Sequence, residues 1–153
     1  SIEEIPEGGT IIMSNSVAEQ GRVLSLLEAS GLIKLDPAVN KSEATLDNIV
    51  ENPKNLVIDA EPSPEILVSF YENEEGDAVV INSNFAIDAG ISPVDDSIAI
   101  EGGASDYVNV IATTKEKEND PALKRLVEVL QSEEISDFIL EEWDGAVVPV
   151  GNK

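Results

Sequence analysis

A short β-branched run followed at once by a helical segment is the feature that most constrains the fold of this chain. The run consists of Val79, Val80 and Ile81, and a helix-like segment follows at residues 84–89. A continuous apolar run of this length, bounded by turn residues, predicts a strand that is buried on both faces. The order of strand, polar turn and helix recurs along the chain, which is typical of an α/β domain with a mainly parallel sheet.

The other predicted elements follow the same alternation. Strands are predicted at residues 10–13, 32–35, 56–58, 97–100, 107–114 and 146–150. Helices are predicted at residues 17–30, 45–51, 62–71, 122–131 and 132–143. Gly31 is predicted to end the first of these helices, and Pro121 to stand at the first position of the fourth.

Charge and composition exclude several classes of function. The 153 residues include 31 Asp and Glu against 9 Lys and Arg, a formal net charge of −22. Such a field repels nucleic acid and anionic membrane surfaces, so neither is an expected partner. Cys and His are both absent, which removes thiolate nucleophiles, the usual zinc sites and the commonest general base. No constellation of residues meets the requirements of a catalytic site, so we expect no enzyme activity, no cofactor and no metal.

Arg22 is a candidate ligand-binding residue because it lies in the first predicted helix, just after the polar turn at residues 14–16. Its guanidinium can hold a carboxylate through two parallel hydrogen bonds, and the helix N-terminus adds partial positive charge. The alternative, which the spacing alone favours, is a surface ion pair with Glu19. Arg125, beside Glu128 on an amphipathic helix, is predicted to be a surface residue.

Two asparagines are further candidates. Asn82 ends the strand predicted at residues 79–81, and ligands of open α/β sheets bind outside the carboxyl ends of the strands. The alternative is that Asn82 caps the helix that follows. Asn109 lies within the strand predicted at residues 107–114, where Asn is disfavoured, and a buried amide there needs a partner. A ligand's amino or carboxylate group could be that partner, and so could a neighbouring backbone group.

Five segments that occur in order carry a resemblance to a known family. They are S-I-E-E-I-P-E-G-G-T-I-I, E-Q-G-R-V-L-S-L-L-E-A-S-G-L-I-K-L, D-A-V-V-I-N-S-N-F-A-I-D-A-G, S-D-Y-V-N-V-I-A and A-V-V-P. Over essentially its whole length the chain resembles methionine-binding lipoproteins of the NlpA type. Those proteins are substrate-binding components of ABC importers, with the type II periplasmic-binding-protein fold.

The resemblance implies roles for the same three residues. The Arg of the family's G-R-x-L motif binds the amino acid's carboxylate, and here it is Arg22. The Asn that closes the V-I-N strand contacts the ligand, as does the Asn of the S-x-Y-x-N strand; here they are Asn82 and Asn109. The family's P-N-D-P turn before the first helix is replaced by S-N-S-V at residues 14–17, so this wall of the cleft differs.

The implied function is binding of methionine, or of a related small amino acid or peptide, by its carboxylate and amino groups. The full-length protein is expected to be lipid-anchored at the extracytoplasmic face of the cell envelope and to deliver its ligand to an ABC permease. The alternative is an acidic, non-catalytic interaction module with a vestigial cleft.

The family's first segment, which supplies most of one lobe and the aromatic residues that enclose the methionine side chain, has no counterpart in this chain. The expected layout is a three-layer second lobe at residues 1–106 and a return segment at 107–153 that would complete the missing first lobe. Apolar residues of the return segment would then lack a burial partner. The isolated chain is therefore expected to form a homodimer by exchanging this segment, or to carry the missing piece as a separate fragment. The residues concerned are Leu123, Leu126, Val127, Leu130, Phe138 and Ile139.

Overall fold

The computed structural model of the chain describes residues 1–102 and 107–150. These residues belong to two units, Ser1–Ile100 and Glu101–Lys153, each described by itself. The lobe boundary expected between residues 106 and 107 stays a prediction.

A three-stranded parallel sheet forms the centre of the first unit. Its strands are β1 (Thr10–Ile12), β4 (Val57–Asp59) and β5 (Ala78–Val79), in the order β4–β1–β5. In this register Ile11 of β1 lies between Ile58 and Ala78. The predicted parallel sheet is confirmed, but burial of the 79–81 run on both faces is wrong. Within the described residues β5 pairs on one side only, with β1, and its residues are half-buried because an edge strand is covered less completely than a central one.

A second, two-stranded antiparallel sheet pairs β2 (Lys34–Leu35) with β3 (Ile49–Glu51). The helix predicted at residues 45–51 is wrong, because only one 3₁₀ turn forms, at Leu46–Asn48. The side-chain oxygen of Asn48 accepts hydrogen bonds from both the N–H and the hydroxyl of Thr45, a capping box that closes the N-terminal end of this turn. The β-branched residues that follow pair with β2 instead of continuing the helix.

Helix α1 (Val17–Ala29) supplies much of the core of the first unit. It ends as predicted at Gly31, whose φ of 73° lies in the left-handed region. The N–H of Gly31 donates to the carbonyl oxygen of Glu28, and the N–H of Leu32 donates to that of Leu27. These two bonds form a Schellman motif, which satisfies carbonyls that the helix end would leave without partners. The core cluster contains Ile5, Ile11, Leu24, Leu27, Leu32, Ile33, Leu35, Ala44 and Leu56.

Two shorter helices complete the first unit. Helix α2 (Leu67–Glu72) follows a 3₁₀ turn at Pro64–Ile66, so the proline starts the helical segment as predicted. Helix α3 (Ser83–Asp88) follows β5 after three residues. The strand predicted at residues 97–100 does not form.

The second unit contains helices α4 (Pro121–Leu130) and α5 (Glu133–Glu142), which confirm two predicted helices. Asp120 caps α4 by accepting a hydrogen bond from the N–H of Ala122 at 2.8 Å, and Ser132 caps α5. The strands predicted at residues 107–114 and 146–150 are wrong, since residues 107–114 and 146–150 have no strand structure. A β-like composition does not suffice, because a strand needs a neighbour for its backbone hydrogen bonds.

The second unit exposes a set of large apolar side chains. Leu126, Val127, Leu130 and Phe138 are each at least 36% exposed, and Leu123 and Ile139 are half-buried. The Phe138 and Trp143 rings meet edge to face with centroids 6.1 Å apart. The described helices of this unit therefore leave much of their apolar surface uncovered.

Glu28, near the C-terminal end of α1, contacts Lys41 and Leu35, and we expect its ionised form to stabilise the fold. Its carboxylate pairs with Lys41 and accepts a hydrogen bond from the N–H of Leu35 at 2.9 Å. The Lys41 ammonium, and after it the Leu35 N–H, hold the pKa of this carboxyl below its usual range. Because the pKa is lower in the folded state, the stabilisation is present above the ordinary glutamate pKa and is lost as the pH falls through the lowered value.

We therefore expect Glu28→Gln to lower the free energy of unfolding at pH 7 by about 1 kcal/mol, and the deficit to disappear at acidic pH. The measurement is urea unfolding as a function of pH. The matched control is Glu51→Gln, since Glu51 and its partner Lys34 are each 57% exposed and such pairs contribute little. Equal effects of the two substitutions at pH 7 would contradict this assignment.

Candidate functional site

The carboxyl ends of the three parallel strands lie at one edge of the sheet, and the loops that follow them are hydrogen-bonded there. The N–H of Met13 donates to the carbonyl oxygen of Asp59, and the N–H of Val80 donates to that of Ile12, both at 2.8 Å. The N–H of Asn15 donates to the carbonyl oxygen of Pro62 at 2.8 Å. This edge is where open α/β sheets bind ligands, and α1 and α3 both begin there.

The polar turn before α1 is fixed by its own side chains. Ser14 is buried, with 3% of its surface exposed, and its hydroxyl oxygen accepts a hydrogen bond from the N–H of Ser16 at 3.0 Å. The side-chain amide of Asn15 donates to the carbonyl oxygen of Glu61 at 3.0 Å. The start of α1 therefore has a defined position relative to the loop after β4.

Arg22 lies in the second turn of α1 and is half-buried. The residue before it, Gly21, is buried where α1 packs against the 3₁₀ turn Lys41–Glu43. A Cβ on Gly21 would lie 2.3 Å from the carbonyl oxygen of Lys41. The glycine of the G-R pair therefore allows the close approach that holds this part of the helix, and with it the Arg22 backbone, in place.

Asn82 stands at the N-cap position of α3, but its side chain does not cap the helix. Its amide nitrogen Nδ2 instead donates a hydrogen bond to Glu19 Oε1 on α1, at 2.6 Å. The alternative in which its side chain caps α3 is therefore wrong. Both side chains are half-buried, and the bond joins the start of α3 to the helix that carries Arg22.

Glu19 is a site residue to which the sequence analysis gave no ligand-binding role, because it was considered only as an ion partner of Arg22. It precedes Arg22 by three residues, so the two share a face of α1. Its contact with Asn82 spans 63 positions of the chain. Helical spacing was the one signal that could have found Glu19.

Asn109 belongs to the second unit, in a segment without strand structure, and it is exposed. The expectation of an amide within a strand is therefore wrong. The structure brings Asn82 to the helix of Arg22 and describes Asn109 in a different unit. Arg125 is a surface residue as predicted: it is 74% exposed, and its Nη1 lies 3.0 Å from Glu128 Oε2.

Other kinds of site find little support in residues 1–102 and 107–150. Within those ranges no three acidic side chains come together in a way that could hold a metal ion. No helix there is long and apolar enough to cross a membrane.

A cavity of about 280 Å³ lies at the C-terminal end of α1, lined by Ile2, Glu3, Ser30, Gly31, Leu32 and Lys54. It is thus at the opposite end of α1 from the turn at residues 14–16.

The sequence profile of the NlpA lipoprotein family matches residues 1–151. The chain belongs to the NlpA lipoprotein family. It is 48% identical over 151 residues to the methionine-binding lipoprotein MetQ of Bacillus subtilis, an alignment that covers 98% of this chain and 55% of the relative. The chain thus spans about half the length of the curated relatives it matches.

Solved structures of the family share the fold. A putative methionine-binding lipoprotein from Bacillus subtilis superposes with a TM-score of 0.90 at 46% identity, covering 99% of this chain and 62% of that one. A nutrient-binding protein from Burkholderia cenocepacia, solved bound to methionine, superposes with a TM-score of 0.82 at 33% identity, covering 97% and 61%. These superpositions confirm the predicted NlpA-type periplasmic-binding-protein fold. The chain corresponds to only part of it, since it covers 62% and 61% of the two solved chains. The Bacillus subtilis relative is named for methionine binding, and the Burkholderia cenocepacia protein for nutrient binding.

Proposed function

We propose that this chain is the carboxylate-binding part of an extracytoplasmic lipoprotein that binds methionine or a related small amino acid or peptide. Membership of the NlpA family supports this proposal, as do the name of the Bacillus subtilis relative and the methionine in the Burkholderia cenocepacia structure. The full-length protein would be lipid-anchored in the cell envelope and would deliver its ligand to an ABC permease.

Arg22 binds the ligand's carboxylate in this proposal, and Asn82 and Asn109 contact the ligand. The observation that carries the proposal is the hydrogen bond between Asn82 and Glu19, because it joins the N-cap residue of α3 to the helix of Arg22 at the carboxyl edge of the sheet. A guanidinium near a helix N-terminus provides two aligned donors and a favourable potential for one anion.

We also propose that the exposed apolar side chains of α4 and α5 pack against the part of the full-length lipoprotein that this chain does not span. Leu130 is 47% exposed and Phe138 is 53% exposed. An apolar surface of this kind on an otherwise acidic chain marks a contact with another polypeptide segment. When the chain of 153 residues is expressed alone, two copies can cover these side chains by exchanging residues 107–153 and forming a homodimer.

The ligand-binding proposal is tested by Arg22→Ala in the full-length protein. Methionine at millimolar concentration is expected to raise the Tm of the unmodified protein, since a ligand that binds only the folded state stabilises it. Removing a charge-assisted bidentate contact costs about 1.5–3 kcal/mol, so the Kd is expected to rise about 10- to 150-fold and the methionine-induced shift in Tm to become markedly smaller.

Arg125→Ala is the matched control, because it removes the same guanidinium from an exposed helix surface. It is expected to leave the methionine-induced shift in Tm unchanged. A shift in the Arg22 variant as large as that of the unmodified protein would overturn the role of Arg22. No shift in the unmodified protein would favour the alternative, an acidic interaction module with a vestigial cleft.

A further inference from the structure

We propose that Glu19 is a positioning residue that orients the side-chain amide of Asn82, so that Asn82 presents its carbonyl oxygen to the ligand. This inference rests on the proposed amino-acid binding and specifies its chemistry. The site would then require a ligand that carries an amino group next to its carboxylate, which is to say a zwitterionic α-amino acid.

The chemistry of Glu19 determines which way the Asn82 amide points. The oxygen and nitrogen of an asparagine side chain are similar in shape, so the hydrogen-bond partners decide the orientation. An ionised carboxylate accepts hydrogen bonds and donates none, so the Asn82 atom 2.6 Å from Glu19 Oε1 must be the nitrogen Nδ2. A bond of this length to a carboxylate is of the strong, charge-assisted kind.

The orientation leaves a defined group for the ligand. With Nδ2 held by Glu19, the acceptor of the amide is Oδ1, and the side chain makes no capping bond to the backbone of α3. A ligand ammonium group donates hydrogen bonds and can use this oxygen, whereas a carboxylate cannot. The negative charge of Glu19 on the same amide further favours a cationic group beside it.

Arg22 supplies the complementary half of the arrangement. It lies three residues after Glu19 on the same face of α1, and one helical turn advances about 5.4 Å along the axis. Arg22 thus offers a cationic group for the ligand's carboxylate. The Asn82 amide, which is held by Glu19 on the same face of α1, offers an oxygen for the ligand's ammonium group. An unoriented Asn82 could turn its NH₂ toward the ligand and donate a hydrogen bond to a carboxylate oxygen, so without Glu19 the preference for an amino group would be lost.

The test is calorimetric binding of two ligands to the full-length protein: methionine and its analogue without the amino group, 4-(methylthio)butanoate. The unmodified protein is expected to prefer methionine by about tenfold or more, the equivalent of one hydrogen bond to a charged group. Glu19→Ala is expected to lower that preference to about threefold or less, mainly by weakening the binding of methionine.

Glu19→Gln separates positioning from a purely structural or electrostatic role. The glutamine side-chain oxygen still accepts a hydrogen bond from Asn82 Nδ2, so the preference for methionine is expected to stay within about threefold of the unmodified protein. Glu72→Ala, which removes an exposed acidic side chain from α2, is the control for net charge and should leave the preference unchanged.

The failures of the two proposals can be told apart. If the unmodified protein binds no methionine, the proposed function is wrong and the positioning role fails with it. If methionine binds and Glu19→Ala keeps the full preference, only the role of Glu19 is wrong. A Glu19→Gln protein that loses the preference as completely as the alanine variant also overturns positioning, because the bond to the amide would then not be what matters.

Discussion

Gly21→Ala is expected to lower the free energy of unfolding of the Ser1–Ile100 unit by about 2 kcal/mol, the difference between a cost of about 3 kcal/mol for overpacking a tightly packed contact and the gain that alanine brings to a helix interior. The added Cβ would lie 2.3 Å from the carbonyl oxygen of Lys41 and 2.9 Å from both the carbonyl carbon and the carbonyl oxygen of Ser42. These are backbone atoms, so no side chain can rotate away, and α1 must separate from the 3₁₀ turn Lys41–Glu43. The gain of about 1 kcal/mol that alanine brings to a helix interior is smaller than this cost.

The same substitution is expected to weaken methionine binding in the full-length protein, because Arg22 follows Gly21 directly and moves with α1. The measurements are urea unfolding and calorimetric binding. Gly102→Ala is the control, since Gly102 has an ordinary φ and a Cβ there meets no atom within 4 Å. A Gly21→Ala protein as stable as the Gly102→Ala protein would show that the contact between α1 and Lys41 is looser than described.

The chain of 153 residues, expressed alone, is expected to form a dimer or to retain a separate fragment of the full-length protein. The reason is the apolar surface of the second unit, where exposing a Leu or Phe side chain to water costs about 1.5–3 kcal/mol relative to burying it. Light scattering after size-exclusion chromatography, combined with mass spectrometry of the peak, measures both outcomes. A monodisperse monomer with no retained fragment would contradict the expectation.

The double substitution Leu130→Ser and Phe138→Ser is expected to convert the dimer to a monomer. The control is Asp137→Asn, which alters an exposed polar residue of α5. In the full-length protein the same double substitution should instead destabilise the fold, by at least about 2 kcal/mol, because the proposal has these side chains buried there. Unchanged stability of the full-length variant would mean that Leu130 and Phe138 are not buried there, which would overturn the proposal.

The candidate site was predicted in part from the sequence. The motif G-R at residues 21–22 marked Arg22 on a helix that begins at the carboxyl edge of the sheet, and the structure describes that helix there. Asn82 was placed correctly at the junction of β5 and α3. The partner of its side chain was not predictable, because Glu19 is 63 positions away and only the folded chain brings the two together.

The sequence by itself determined the helix ends, because the residues that start or end a helix lie next to it in the chain. Pro121 predicted the start of α4, and Gly31 predicted the end of α1, since each signal needs only residues within one helical turn. Tertiary structure decided the strands. The segment 107–114 has the most β-like composition but no strand structure, whereas Ile49–Glu51, predicted as helix, pairs with β2. The physical reason is that a helix forms its hydrogen bonds within one segment, while a strand forms them with a neighbour that only the folded chain supplies.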